Sequence, residues 1–174
     1  MRRWFQFPSP VNDAAARTVA LGVVLLATVT FVTGAAWLLV PLAYGFVARV
    51  ASGPTWSPLG QFAVRVVAPR LDRSPRWRHW TRFVPGPPKR FAQTMGVVFS
   101  GAALTVWLTV GWTAARWLLV PLLFAAGLEG FAGYCVGCAI FGWLMARGVV
   151  PASVCAECAD ITPRPPRPEA TAAS

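Results

Sequence analysis

The sequence predicts an all-α integral membrane protein, with four transmembrane helices arranged as two tandem hairpins and a cytoplasmic amphipathic helix at the membrane interface. Of its 174 residues, 56% are hydrophobic and only 13% are charged, whereas about a quarter of the residues in a soluble domain are charged. Residues 18–48 contain no ionisable side chain except Tyr44, and residues 91–115 contain none. Both stretches exceed the roughly 20 apolar residues that cross a bilayer.

Each apolar stretch is long enough to be divided into two spans. Thr33 and Gly34 favour a turn between spans at about 13–33 and 35–53, which form the first hairpin, 13–53. The second hairpin, 91–133, comprises spans at about 91–112 and 114–133, with Arg116 in its outer turn. This division leaves an N-terminal segment 1–12, a central loop 54–90, a cysteine-bearing segment 134–161 and a Pro- and Ala-rich tail 162–174, which we expect to be disordered.

An internal repeat supports the two-hairpin division. A shift of 80 residues places residues 33–42 on residues 113–122, with eight of the ten positions identical, including a shared Trp-Leu-Leu-Val-Pro-Leu. Such a match indicates a duplicated two-helix unit. Because each unit crosses the membrane twice, both copies point the same way, as in parallel-repeat transporters.

The distribution of arginines predicts the orientation. The chain has sixteen Lys and Arg against six Asp and Glu, and nine of the positive residues lie between Arg49 and Arg90. The positive-inside rule therefore places both termini and the central loop in the cytoplasm. Arginine in preference to lysine, together with abundant alanine, suggests a bacterial source, so we expect the cell (inner) membrane of a bacterium.

The central loop has an amphipathic part and a basic part. Leu59, Phe62, Ala63, Val66 and Val67 recur at helical spacing, which predicts a short interfacial helix that ends near Pro69. Basic and aromatic residues suited to anionic lipid headgroups form the predicted membrane-surface anchor. Its residues are Arg65, Arg70, Arg73, Arg76, Trp77, Arg78, Trp80 and Arg82. Single-stranded nucleic acid is the alternative partner for this composition, but spans on both sides argue against it, and we expect no nucleic-acid binding.

The four cysteines form two CxxC pairs, Cys135–Cys138 and Cys155–Cys158, separated by sixteen residues. In the cytoplasm thiols stay reduced, which disfavours structural disulfides and favours metal or redox chemistry. The spacing fits a four-thiolate zinc site, or an iron–sulfur site, formed by all four cysteines. The first pair, however, lies in an apolar segment rather than in a polar zinc knuckle. A third interpretation is that the cysteines are inert packing residues.

The redox interpretation depends on local geometry. Gly130 and Gly133 can end the last span, which would place Cys135 at the N-terminus of a helix running to about Arg147, where the helix dipole lowers the pKa of a thiol. Cys135 is then the attacking thiol and Cys138 its resolving partner. Cys155 and Cys158 would form a secondary redox station, less nucleophilic because of Glu157 between them. Whether residues 131–147 lie at the interface or cross the membrane is left open by the sequence.

Glu129 is the one acid expected at span depth, where an ionisable residue indicates function. The 80-residue shift places it on Arg49, which predicts an intramembrane ion pair between Arg49 and Glu129. A structural pair that joins the two hairpins is favoured over a proton or substrate site.

Several motifs resemble those of one family. The Arg-rich loop with Ser57-Pro-Leu-Gly60, the Arg90-Phe-Ala-Gln93 entry to the third span, and Gly133-Tyr-Cys-Val-Gly-Cys138 are similar to the bacterial membrane family called domain of unknown function 4395, over about residues 10–160. Many members carry an acid after the second cysteine, where this chain has Ala139. The resemblance implies thioredoxin-like or rhodanese-like partners, and hence thiol or sulfur traffic.

The sequence thus predicts a small membrane protein that relays disulfides or sulfane sulfur with such a partner. The alternatives are a non-enzymatic scaffold with a zinc or iron–sulfur site, and a small-solute transporter component that would need a homo-oligomer to form a path. No cofactor is required by the first interpretation, and zinc is the candidate in the second.

Overall fold

The computed structural model describes residues 10–74, 83–155 and 158, which are almost entirely helical. Among these described residues, three helices are long and apolar enough to span a membrane: Asp13–Thr33 (α1), Gly86–Thr109 (α5) and Trp112–Ala132. The last of these consists of α6 (Trp112–Ala115), a 3₁₀ turn (Arg116–Leu118), α7 (Leu119–Gly127) and a π-helical turn (Leu128–Ala132), and is called the α6–α7 helix below. A shorter apolar helix spans Ala36–Ser52, with a 3₁₀ turn at Ala36–Leu38 followed by α2, Leu39–Ser52. These features are those of an all-α membrane protein.

The first two helices form a hairpin with defined ends. The side chain of Asn12 accepts hydrogen bonds from the backbone N–H groups of Ala14 and Ala15, which caps the start of α1. Gly34 ends α1 with a left-handed φ of 69°, at the position predicted for the turn. Glycine suits this conformation because it has no Cβ.

The second hairpin begins earlier than the sequence predicts. Helix α5 starts at Gly86 rather than near residue 91, with a proline in its first turn. Proline is tolerated there because backbone N–H groups in the first turn have no hydrogen-bond partner within the helix. As a result Lys89, which the sequence analysis assigned to the loop, lies inside the helix and is 5% exposed.

The loop helix also differs from the expected one. It comprises α3 (Pro58–Phe62), a π-helical turn (Ala63–Val67) and α4 (Ala68–Arg73). The helix therefore continues past Pro69 instead of ending there. Its apolar face packs on α1, where buried Ala63 and Ala68 join Ala15 and Val19.

Two leucines at equivalent positions of the 80-residue shift lie at the centre of the main core. Leu39 and Leu119 are both completely buried, and each follows a 3₁₀ turn. Helix α2 packs on α5, and α1 packs on α7. Large apolar side chains such as Leu25 and Leu108 are about 70% exposed on the outside, as expected for a surface that faces lipid.

The starts of α1 and α5 lie together at one end of the bundle. A two-stranded antiparallel ribbon pairs Val11 of β1 (Val11–Asn12) with Val84 of β2 (Phe83–Val84), which holds the start of α1 beside the start of α5. The final α-helix of the described residues, α8 (Val136–Ala146), folds back onto α5. Its eleven residues rise only about 16 Å, which is too short to cross a hydrocarbon core of roughly 30 Å.

Candidate functional site: a dithiol at a helix N-terminus

The Cys135–Cys138 pair lies at the N-terminus of α8. Cys135 is the N-cap residue, and its Sγ accepts a hydrogen bond from the backbone N–H of Cys138 at 3.3 Å. The Cys138 thiol also donates to Cys135 Sγ, at 2.7 Å. Both cysteines are free and half-buried. The sequence predicts Cys135 at the start of a helix, and the structure has it at the N-cap of α8.

Two glycines allow this arrangement. Gly133 ends the π-helical turn with a left-handed φ of 69°, and a Cβ there would collide with the guanidinium of Arg17. Gly137, between the two cysteines, lies against Ala92 of α5, whose Cα would be 2.6 Å from an added Cβ. The glycine of the CxGC sequence therefore permits close contact between α8 and α5.

A buried charge cluster lies beside the dithiol. Lys89 Nζ is 3.2 Å from Asp13 Oδ1 and 2.6 Å from Glu129 Oε1, so it joins α1, α5 and the α6–α7 helix. Asp13 also pairs with Arg17, whose Nε lies 3.1 Å from Asp13 Oδ2. Two acids and two bases thus neutralise one another, as the burial of charged side chains requires.

The structure does not form the predicted direct Arg49–Glu129 ion pair. Glu129 accepts from Lys89, while Arg49 Nε donates to Gln93 Oε1 at 2.8 Å and its Nη1 donates to Ser57 Oγ at 3.3 Å. The prediction was wrong because the early start of α5 brings Lys89 between the hairpins. Arg49 is nevertheless buried, with 6% of its surface exposed. The negative charge of Glu129 acts on it electrostatically, although the two side chains form no ion pair.

The two thiols of the first pair are electrostatically distinct. The hydrogen bond donated by Cys138 lowers the pKa of Cys135 below its ordinary value, and the positive charge of Lys89 acts in the same direction, against burial and Glu129. The same hydrogen bond, together with burial, raises the pKa of Cys138. Of the two thiols, Cys135 is therefore the one whose thiolate form is favoured.

The second pair is in a different state from the first. Cys155 and Cys158 are joined by a disulfide, although the sequence analysis expected structural disulfides to be disfavoured. Disulfide sulfurs supply no thiolate ligands, and among the described residues no three His, Cys, Asp or Glu side chains converge on a metal position. The structure therefore does not assemble the four-cysteine zinc or iron–sulfur site.

The membrane-surface anchor falls only partly within the described residues. Arg65, Arg70 and Arg73 have exposed side chains on the loop helix. The other anchor residues, Arg76, Trp77, Arg78, Trp80 and Arg82, lie outside the described part of the chain, as does Glu157.

Sequence reasoning missed Lys89, Asp13, Arg17 and Gln93 as parts of the site. One signal was available: Lys89 is the single lysine among sixteen basic residues. Asp13 and Arg17 carried no motif, and Gln93 was noted only as the end of Arg90-Phe-Ala-Gln93. The contacts of these residues with Lys89 or Arg49 and with each other arise only in the folded chain.

The fold and the site define a class, that of helical membrane proteins with a dithiol at the end of the bundle. Within it, the chain belongs to the family described as domain of unknown function (DUF4395), whose model matches residues 11–146. The match includes the three long apolar helices, the shorter apolar helix, the charge cluster and the first cysteine pair, and it ends before the second pair. No curated protein and no solved structure matches the chain.

Proposed function

We propose that this protein is a membrane-bound thiol relay in which Cys135 and Cys138 exchange a disulfide, or sulfane sulfur, with a soluble thioredoxin-like or rhodanese-like protein. The observation that carries the proposal is the position of Cys135: an N-cap thiol, hydrogen-bonded by Cys138 and close to a buried lysine. Dithiols at helix N-termini have the lowered pKa that such exchange needs.

The disulfide reaction proceeds in two balanced steps. The Cys135 thiolate attacks one sulfur of the partner's disulfide, which forms a mixed disulfide and releases the other sulfur as a thiolate. Cys138 then loses its proton and attacks Cys135 Sγ, which releases the partner as a dithiol. The result is a Cys135–Cys138 disulfide, and the direction of the exchange depends on the two reduction potentials.

Sulfur transfer uses the same two thiols. The Cys135 thiolate attacks the outer sulfur of a partner persulfide, which leaves the partner as a thiolate and makes Cys135 the persulfide. Attack by Cys138 on Cys135 Sγ then releases hydrosulfide and forms the disulfide.

The proposed topology has four spans, with Ala36–Ser52 as the second, in two parallel copies of one hairpin. Equivalent residues support the duplication: Gly53 and Gly133 both have positive φ, and 3₁₀ turns begin at Ala36 and Arg116. The dithiol lies at the same end as the exposed Arg65 and Arg70, which favours the cytoplasmic side of a bacterial cell membrane. Exposed Phe131 and Tyr134 beside the motif offer aromatic contacts to a docking partner or to the membrane interface.

The test is a mixed-disulfide trap with purified, reduced protein and a thioredoxin variant that keeps only its attacking cysteine, activated as its mixed disulfide with thionitrobenzoate, so that no second partner thiol can reverse the reaction. Cys138→Ser should accumulate a covalent complex through Cys135, because the resolving thiol is missing, whereas Cys135→Ser should form none. A Cys155→Ser, Cys158→Ser double variant is the matched control and should exchange as the wild type does. Absence of the complex in Cys138→Ser would reject the proposal, and so would one zinc or iron per chain that is lost on changing Cys135.

A further inference from the structure

A cavity of about 280 Å³ opens beside the dithiol. It lies between α1, α2, α5, α7 and α8, and Cys135 is part of its wall. The volume is close to the lower limit of roughly 300 Å³ for pockets that bind small molecules. The cavity therefore brings a candidate ligand site into contact with the reactive thiol.

The cavity extends from the dithiol into the apolar part of the bundle. Its wall continues along the α6–α7 helix from Glu129 to Pro121, a distance of about 12 Å at 1.5 Å per residue. Phe124 and Ile140 also line it and are 66% and 38% exposed on the outer surface. The cavity thus opens toward the surface that faces lipid, so that a molecule dissolved in the bilayer can enter it from the side.

The lining is apolar except at one end. Of the described residues that line the cavity, only Gln93, Glu129 and Cys135 have polar or thiol side chains, and all three lie at the dithiol end. A small anionic sulfur compound would gain nothing from the apolar remainder, because transfer of charge into such surroundings is costly. The shape and polarity suit a molecule with an apolar tail and an oxygen-bearing ring.

We propose that this cavity binds a membrane quinone, with its ring at the Cys135 end, and that the quinone accepts the two electrons of the Cys135–Cys138 dithiol. This rests on the proposed function, since it assumes that the dithiol is redox-active. When the exchange runs in the direction in which the Cys135–Cys138 disulfide oxidises a partner dithiol, the pair is left reduced and needs a two-electron acceptor to restore its disulfide, and a quinone is such an acceptor that is soluble in the bilayer. The amide of Gln93 offers a hydrogen-bond donor to a ring oxygen at that end.

The reaction balances without any further reagent. The Cys135 thiolate adds to the quinone ring, and Cys138 attacks Cys135 Sγ, so that the sulfur–carbon bond breaks as the sulfur–sulfur bond forms. Both electrons remain on the ring, and its oxygens take up two protons, one from Cys138 and one from solvent. One dithiol and one quinone thus give one disulfide and one hydroquinone.

The experiment uses the full-length protein, reduced, freed of reductant and held in lipid nanodiscs, with decylubiquinone as the probe. Hydroquinone formation is followed by absorbance, and the Cys135–Cys138 disulfide by alkylation and mass spectrometry. Ala125→Phe fills the cavity, which Ala125 lines, and should slow the reaction by about tenfold or more, equivalent to ~1.4 kcal/mol. Gly127→Phe is the matched control on the same helix, because Gly127 is not part of the lining and a Cβ there meets nothing within 4 Å.

Thioredoxin exchange, measured on the same samples, separates this proposal from the proposed function. Exchange with thioredoxin but no quinone reduction in the wild type would overturn the cavity proposal alone, and loss of both reactions would overturn both. Equal quinone rates in Ala125→Phe and wild type would also reject the cavity. If Ala125→Phe fails to fold, an azido-quinone photolabel on the wild type decides: labelling within residues 121–140 supports the site, and labelling elsewhere rejects it.

Discussion

Lys89 and Glu129 form a 2.6 Å ion pair between α5 and the α6–α7 helix, and the Lys89 side chain is only 7% exposed. The same ammonium lies 3.2 Å from Asp13, so one lysine joins three helices. This contact lies directly beside Cys135, whose thiol feels the positive charge of Lys89. Lys89 therefore contributes both to the packing of the three helices and to the electrostatic surroundings of the Cys135 thiol.

Lys89→Met should destabilise the protein strongly. Loss of one member of a buried ion pair leaves an uncompensated charge and costs about 3–5 kcal/mol. The free energy of unfolding in mixed micelles should fall by that amount, and adding Glu129→Gln should restore part of it. Arg90→Met is the matched control, because Arg90 is the exposed neighbour and surface changes stay within about 0.5 kcal/mol. Equal stability of Lys89→Met and Arg90→Met would contradict the buried pair.

The alkylation rate of Cys135 should depend on pH through Cys138. Because the hydrogen bond from Cys138 lowers the pKa of Cys135, the rate with iodoacetamide should rise at a pH below the ordinary thiol pKa of about 8.5. Cys138→Ala removes the donor and should move the midpoint to higher pH. Cys138→Ser keeps a hydroxyl donor and should move it less. Peptide mass spectrometry gives the rate at Cys135 alone, and identical midpoints in all three proteins would refute the hydrogen bond's role.

Gly137→Ala should disturb the contact between α8 and α5. The added methyl would lie 2.6 Å from the Cα of Ala92, and overpacking of this kind costs roughly 1–3 kcal/mol. We expect a lower free energy of unfolding and faster alkylation of Cys138 as α8 moves away from α5. Gly142→Ala in the same helix meets nothing within 4 Å, so its stability should equal or exceed that of the wild type. A larger loss in Gly142→Ala than in Gly137→Ala would contradict the packing.

Arg49→Lys should be poorly tolerated although it keeps the charge. Arg49 donates from two different nitrogens to Gln93 and Ser57, and an ammonium does not reproduce that planar geometry. Loss of one buried hydrogen bond to a charged group costs about 1.5–3 kcal/mol. The control is Arg70→Lys on the exposed side of the loop helix, which should be neutral. Thermal unfolding in detergent compares the two, and a neutral Arg49→Lys would refute the assignment.

Local sequence signals predicted much of the fold. Runs of apolar residues required helices, Gly34 marked the first turn, and Gly133 marked the start of the cysteine segment. The position of Cys135 at a helix N-terminus also followed from neighbouring residues, because caps and turns depend on side chains within a few positions of each other. The membrane class and the position of the Cys135–Cys138 pair at a helix N-terminus were thus determined by the sequence alone.

The partners of the buried charges were decided only by the tertiary structure. Lys89 is 76 residues from Asp13 and 40 from Glu129, and no local pattern relates such positions. The 80-residue repeat favoured Arg49 as the partner of Glu129. In the packed helices, however, Lys89 is the partner of Glu129, and Arg49 donates a hydrogen bond to Gln93. Likewise, the cavity beside Cys135 exists only where five helices, α1, α2, α5, α7 and α8, meet. Hydrophobic length and capping are local properties, whereas ion pairs and cavities depend on which helix faces are brought together.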